Sequence, residues 1–154
     1  MSAGGEVHRL GVRVYYEDTD FSGFVYHASY LRFLERGRTE LLRDLVGDQT
    51  ELYREARGLV FVVRRMSLDF ARPARMDDLL DVATRTLALR GASMRLAQEV
   101  RRGSDLLVSA DVTVACVREG RAVRLPDTLR ARLAPPAARS LSPAPPAAPP
   151  GSPR

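Results

Sequence analysis

Apolar residues recur along this chain with two periods, and the places where the period changes outline its elements. From Val7 to Tyr16 the even positions Leu10, Val12, Val14 and Tyr16 alternate with Arg9, Gly11 and Arg13, the period of a half-buried strand. Further on, Tyr30, Phe33, Leu34, Gly37, Leu41, Leu42 and Leu45 repeat at three- and four-residue intervals, with Arg32, Glu35, Arg36 and Arg43 on the other side. That spacing predicts a long amphipathic helix, stopped at Gly47, with one or two more helical turns over Gln49–Arg57 before Gly58.

Alternation then returns. Over Leu59–Phe70, Val60, Val62, Met66, Leu68 and Phe70 are expected on one face and Arg65, Ser67 and Asp69 on the other, with the strand ending near Pro73. Leu79–Leu89, Met94–Arg102 and Leu106–Arg118 are three further strands, joined by turns at Arg90-Gly91-Ala92 and Arg102-Gly103-Ser104-Asp105. A short strand, Arg121–Leu125, follows the Glu119-Gly120 turn, and Pro126–Leu133 adds a last helical turn. Long strands with short connections imply an antiparallel meander with one helix packed on it, an α+β fold.

Composition narrows the class. A chain of 154 residues with 45% apolar and 28% charged residues is an ordinary globular protein of one domain. From Ala134 the sequence changes to PPAARSLSPAPPAAPPGSPR, which has almost nothing to bury, so the domain is placed at 1–133 and a disordered tail at 134–154. Residues 1–6 are expected to be a loose end. No apolar run approaches the roughly 20 residues that cross a bilayer, and the N-terminus has no signal-peptide core, which points to the cytoplasm. Cys116 is the single cysteine and lies within a strand pattern, so it reads as a buried, inert thiol.

All 24 basic residues are arginine, and the net charge is +5. The arginines are scattered and not interleaved with aromatics, which argues against a nucleic-acid partner and leaves an anionic small ligand as the better fit. Two histidines and one cysteine are too few for a metal centre, no G-x-S-x-G elbow surrounds a serine, and no glycine-rich phosphate loop is present. No cofactor is called for.

The chemistry gathers in YYEDTDFSGFVYHASYLRFLERGRTELLRDL, residues 15–45, where Glu17, Asp18 and Asp20 precede a Ser22-Gly23 turn and His27 stands at the start of the long helix. A carboxylate one short loop upstream of a helix N-terminus suits acyl chemistry, because the first N–H groups of the helix have no internal partner and face a developing oxyanion. On spacing alone, Asp20 is as well explained as a turn former. Asp18 and Glu17 read as solvated or structural, with the expectation that a neighbouring like charge raises the pKa of Asp20. His27 reads as a neutral imidazole packed at the helix start.

The string D-T-D-x-x-G-x-V-Y-H-A-x-Y followed by L-R-F-L-E-R-x-R-T-E resembles the 4-hydroxybenzoyl-CoA thioesterase-like family, and within it the small bacterial acyl-CoA thioesterases associated with the Tol–Pal cell-envelope system. The resemblance runs from about Val12 to about Pro126. It implies the hotdog fold, an antiparallel sheet of five or six strands wrapped around one long helix. It implies hydrolysis of an acyl-CoA thioester, with Asp20 as the catalytic carboxylate and the backbone amide of about His27 polarising the carbonyl. Phe21-Ser22 and Ser29 depart from the family, which has small residues and Asn there; both bear on the acyl pocket. For coenzyme A, Tyr26, Arg64, Arg65 and Arg90 are the substrate-binding candidates, Arg90 favoured because it flanks a turn. A homodimer or homotetramer is implied, since family members close their sites between subunits, and a cell-envelope protein or an acyl carrier protein is a candidate partner. Two rival readings stay open: a non-catalytic hotdog domain that binds acyl groups or a partner, and an acyl-carrier-linked dehydratase, although the latter needs a partner that His27 lacks in the sequence.

Overall fold

A computed structural model describes residues 7–47 and 49–135; the loose end expected at 1–6 and nearly all of the expected tail lie outside the described residues. The elements run β1 (His8–Arg13), a 3-10 turn (Tyr16–Asp18), α1 (Ser29–Val46), α2 (Gln49–Glu55), β2 (Leu59–Phe70), β3 (Leu79–Leu89), β4 (Ser93–Arg102), β5 (Asp105–Arg118), β6 (Arg121–Ala122) and α3 (Asp127–Leu133). All strand pairs are antiparallel. They form one six-stranded sheet of order β1-β3-β4-β5-β2, with β6 paired to the end of β5. A continuous meander, the sequence expectation, holds only for β3 to β6. β1 and β2 sit at opposite edges because α1 runs between them and carries the chain across the sheet.

Three strands differ in detail from the sequence pattern, the shortest, β6, ending at Ala122 and not at Leu125. β1 stops at Arg13: Val14 leaves the β1–β3 ladder to exchange backbone bonds with Asp78 and Asp77 (2.9 and 3.0 Å), and Tyr16 opens the 3-10 turn with its ring exposed. In β2 a bulge between Val63 and Arg65 shifts the register by one residue. Phe61, Val63, Met66, Leu68 and Phe70 oppose Cys116, Val114, Val112, Ala110 and Val108, the buried side of β5. Val60 and Val62 therefore stand on the outer face with Arg65 and Ser67, not with Met66 and Leu68. An inserted residue reverses the faces of a strand, and the chain before Arg64 shows no composition change to mark it.

One face of α1 is buried through Tyr30, Phe33, Leu34, Gly37, Leu41 and Leu42, against sheet residues that include Val82, Leu96, Val100 and Val112. Burying Phe33 or Leu34 completely contributes about 1.5–3 kcal/mol each. The helix approaches the sheet most tightly at Gly37, where a Cβ would lie 2.8 Å from Val82 Cγ1 and 3.0 Å from Thr84 Oγ1. Beside it lies Gln98, buried and fully engaged: its amide nitrogen donates to Leu34 O and Thr84 Oγ1 (2.9 Å each), and its carbonyl oxygen accepts from Arg38 (3.1 Å). At the far end Gly47 closes α1 at φ +84°, a left-handed value that favours glycine.

Candidate active site

The loop from β1 to α1 is held at its base by a buried acid. Asp18 takes the Tyr15 N–H on Oδ2 (2.8 Å), while its carbonyl accepts from Tyr26 N–H (2.8 Å) and from the Ser29 hydroxyl (3.1 Å). Asp18 is thus structural, as the sequence suggests, and Ser29 fastens the helix start to the loop. From that base a small hairpin projects: Thr19 bridges Val25, Asp20 N–H donates to Phe24 O (3.0 Å) and Gly23 N–H to Asp20 O (3.0 Å). Gly23, at φ +84°, makes the turn. Val25 and Phe24 tie this hairpin to Ala74 and Arg75, and the Arg75 guanidinium lies over the Phe24 ring at 4.9 Å.

Asp20 stands exposed at the tip of that hairpin. Its Oδ1 accepts from the Ser22 N–H (2.8 Å) and from the Ser22 hydroxyl, and its Oδ2 has no partner among the described residues. The Ser22 hydroxyl, the Ser22 N–H and, more weakly, His27 hold the Asp20 carboxyl below its usual value against a small opposing effect of burial. This corrects the expectation that a nearby carboxylate raises it, because Asp18 is turned into the loop base, where the Tyr15 N–H takes one oxygen and Arg32 pairs with the other (3.5 Å). A carboxylate ionised well below neutral pH, with one oxygen held and one free, can act as a base or as a nucleophile.

Across a cleft of about 320 Å³ is the start of α1. The N-cap residue, Ala28, brings no side-chain cap, and the N–H groups of His27 and Ala28 have no acceptor among the described residues. These are donors at the positive end of an 18-residue helix, free to bind an oxyanion. The cleft is lined by Asp20, Ser22, His27, Tyr30, Phe70 and Arg72, among others. His27 packs its ring edge-on to Tyr26 (4.5 Å) and Phe70 (6.3 Å). Burial pushes the Tyr30 phenol up, and its oxygen is occupied by the Ala74 N–H (3.0 Å), so it is a wall of the site rather than an acid in it.

The structure joins Asp20 and His27 but sends the other candidates elsewhere. Tyr26 touches the His27 ring without lining the cleft. Arg64, Arg65 and Arg90 do come together, in a second cleft of about 560 Å³ shared with Arg95 and Asp111, and none of them lines the Asp20 cleft. Pairing of Arg65 and Arg95 to opposite sides of Thr113 sets two guanidinium stems in one cross-strand row. Arg95 is locked by Asp111 (2.9 and 3.0 Å), whereas Arg64, Arg65 and Arg90 have no ion-pair partner among the described residues. The sequence reading missed Phe70 and Arg72, which reach the Asp20 cleft only through the pairing of β2 with β5. It also missed Ser22 as a partner of Asp20, although a serine two residues after an aspartate is the signal of such a turn. His8 pairs with Asp44 (2.9 Å), far from the cleft in the fold. Among the described residues no group of His, Cys, Asp and Glu gathers to hold a metal ion.

With this geometry in view, residues 22–109 match the model of the thioesterase superfamily, a match that begins two residues after Asp20. The acyl-CoA thioester hydrolase YbgC of Escherichia coli O6:H1 is 46% identical over 110 residues, 71% of this chain and 81% of that protein. Among solved structures, the "Probable Thioesterase from Bartonella henselae" superposes with a TM-score of 0.76 at 47% identity, covering 79% of this chain and 100% of that one. A thioesterase from Thermus thermophilus, solved with coenzyme A and zinc, gives a TM-score of 0.74 at 29% identity over 85% of this chain and 99% of that one.

Proposed function

The chain belongs to the thioesterase superfamily, and on that premise we propose that it hydrolyses acyl-CoA thioesters with the Asp20 carboxylate and the backbone amides that open α1. Water is added across the acyl C–S bond, giving a free acid and coenzyme A. The observation that carries the assignment of groups is that Asp20, with one carboxylate oxygen free, and His27, whose N–H has no acceptor among the described residues, line one cleft at a helix N-terminus. The thioester carbonyl sits against the His27 and Ala28 amides, which stabilise the negative charge that develops on its oxygen. Asp20 Oδ2 then drives attack on the carbonyl carbon, by taking a proton from water or by adding directly. Coenzyme A thiolate is a good leaving group, and such a small set of side chains therefore suffices.

In this reading the nucleotide of coenzyme A is held by Arg64, Arg65 and Arg90, whose guanidinium groups, without an ion-pair partner among the described residues, suit phosphate. Because that cleft and the Asp20 cleft share no lining residue, one substrate engages both most simply across two subunits. A homodimer or homotetramer fits the same picture: β2 is a 12-residue edge strand with Val60, Val62 and Val63 exposed, the kind of edge that proteins cover by pairing. Light scattering at micromolar concentration should return at least a dimer mass. The reading includes a cytoplasmic location, in keeping with the free, buried thiol of Cys116, and no helix among the described residues is long and apolar enough to cross a membrane. An acyl carrier protein or cell-envelope partner rests on likeness to the Tol–Pal-associated branch alone. The deciding assay is release of coenzyme A thiol from a panel of acyl-CoAs of different chain length. No release from any of them would overturn the assignment.

A further inference from the structure

We infer that Ser22 is a positioning residue for the reaction, its hydroxyl holding Asp20 by one oxygen so that the other is aimed, ionised, at the acyl carbonyl. The inference rests on the reading of Asp20 as the reacting carboxylate and goes beyond it to what keeps that carboxylate competent.

An exposed aspartate ordinarily rotates about two side-chain torsions and meets substrate in several orientations. Here Oδ1 receives two donors from one residue, the Ser22 N–H at 2.8 Å and the Ser22 hydroxyl. The hydroxyl is itself oriented: Ser22 Oγ accepts the Phe24 N–H at 3.2 Å, so its single hydrogen is directed at Asp20. The result is a relay, Phe24 N–H to Ser22 O–H to Asp20 Oδ1, closed by the Asp20 N–H to Phe24 O bond and by the glycine turn at Gly23. Only Oδ2 is left for chemistry. Asp20, Ser22 and Phe24 all line the same cleft as His27, so the relay sits where substrate enters.

The relay matters most once substrate is bound. An acyl group lying over Asp20 removes water from it, and desolvation favours the neutral acid, which is useless as base or nucleophile. A hydroxyl that donates to the ionised form opposes that change, and it does so without adding a charge near the developing oxyanion. The Ser22 hydroxyl is the first among the influences that already lower the carboxyl's pKa in the free protein. Phe21, fully exposed beside it, adds apolar surface at the same tip.

The experiment compares Ser22→Ala and Ser22→Thr with the parent and with Asp20→Asn, using as substrate the acyl-CoA that the panel shows to be turned over fastest. Two readouts are taken: the pH profile of kcat and kcat/KM, and the carboxyl carbon-13 titration of Asp20, assigned by its disappearance in Asp20→Asn. Ser22→Ala should lower kcat about tenfold with little change in KM, a loss on the scale of a slightly misaimed catalytic group. Its acid limb and its Asp20 titration should both move to higher pH, and Ser22→Thr, which keeps the hydroxyl, should restore both. Ser22 is exposed, so the fold is not at stake. If Ser22→Ala keeps the parental kcat and the parental titration while Asp20→Asn is inactive, the inference about Ser22 is overturned and the reading of Asp20 stands. If Asp20→Asn remains active, the reading of Asp20 fails first, a distinct result. A loss of kcat in Ser22→Ala that Ser22→Thr does not repair also overturns the inference, since the hydroxyl would then not be the cause.

Discussion

The N-terminus of α1 and the middle of its buried face handle polar groups in opposite ways. Around Gly37 the buried amide is committed: Gln98 bonds Leu34, Thr84 and Arg38, and the helix lies so close to the sheet that a methyl group does not fit. At the N-terminus, two amides and one oxygen of an exposed carboxylate have no partner among the described residues. The Gln98 amide has no N–H left for a ligand, and the groups at the N-terminus contribute little to holding the sheet and helix together. Satisfied polar groups fix the fold here; unsatisfied ones, placed where water or substrate reaches them, are the chemical resource. If this division is right, substitutions in the two regions should separate cleanly into losses of rate and losses of stability.

The largest effect is expected at the open end. Asp20→Asn keeps size and hydrogen-bond acceptance but removes the charge, and kcat for acyl-CoA hydrolysis should fall on the order of 100-fold or more with the melting temperature unchanged. Asp18→Asn is the contrasting variant. It disturbs the loop base, so its cost should appear in the melting temperature rather than as an equal loss of kcat. An Asp20→Asn enzyme that keeps more than about a tenth of parental kcat would break the comparison at its more important end.

The Gly37–Gln98 region should show the reverse. Gln98→Leu leaves the Leu34 carbonyl and the Thr84 hydroxyl without their donor and strips Arg38 of its acceptor, a loss of about 2 kcal/mol measured by denaturant unfolding. Gly37→Ala gains helix propensity of about 1 kcal/mol, but forces Val82 and Thr84 to move; overpacking of this kind costs about 1–3 kcal/mol, so a net loss is expected. In both variants kcat per folded molecule should stay within about twofold of the parent, since neither touches the Asp20 cleft. A fall in kcat matching that of Asp20→Asn would mean the two regions are coupled.

A smaller and more specific effect belongs to the arginine cleft. Arg90→Ala should raise KM several-fold and leave kcat nearly unchanged, because a guanidinium on a remote phosphate binds ground state and transition state alike. Equal KM values would remove Arg90 from the substrate's path.

How much of this was legible in the sequence follows from the range of the interactions involved. The helix was readable from Tyr30 to Leu45 because its period is local, and Gly47 marked its end. The limits of β2 were readable for the same reason. Its faces were not, because the bulge before Arg65 is set by pairing with Val114 and Thr113 some fifty residues later. The order of the sheet was hidden likewise: nothing near β1 announces that its partner is β3. In the site, Asp20 and His27 were found because they are joined by one short, continuous motif, whereas Phe70 and Arg72 arrive from another strand end and carry no local signature. Ser22 was visible but was read for its size, and its hydroxyl is what matters.

The smallest effect sharpens the comparison by setting one lowered carboxyl against another. Burial works against ionisation of Asp78, but the Arg75 N–H (2.9 Å) and the Arg102 guanidinium (2.8 Å) more than offset it, so its pKa lies below the usual value of 3.8. A carboxyl lowered by folding contributes stability that is fully present above its unfolded pKa and is lost as pH falls through its folded one. Asp78 joins the segment before β3 to the end of β4, a connection between distant residues that unfolding breaks. Asp20 is lowered too, but by a serine two positions away in a turn the unfolded chain can also form, so little of that lowering is linked to folding. Acidification below about pH 4 should therefore weaken the parent by up to about 1 kcal/mol through the Asp78–Arg102 pair. Asp78→Asn should lose that amount at neutral pH and show a flatter decline in acid. Asp20→Asn should follow the parental curve throughout, and a flattened acid limb in that variant would show that the hairpin bearing the carboxylate is part of the fold's support after all.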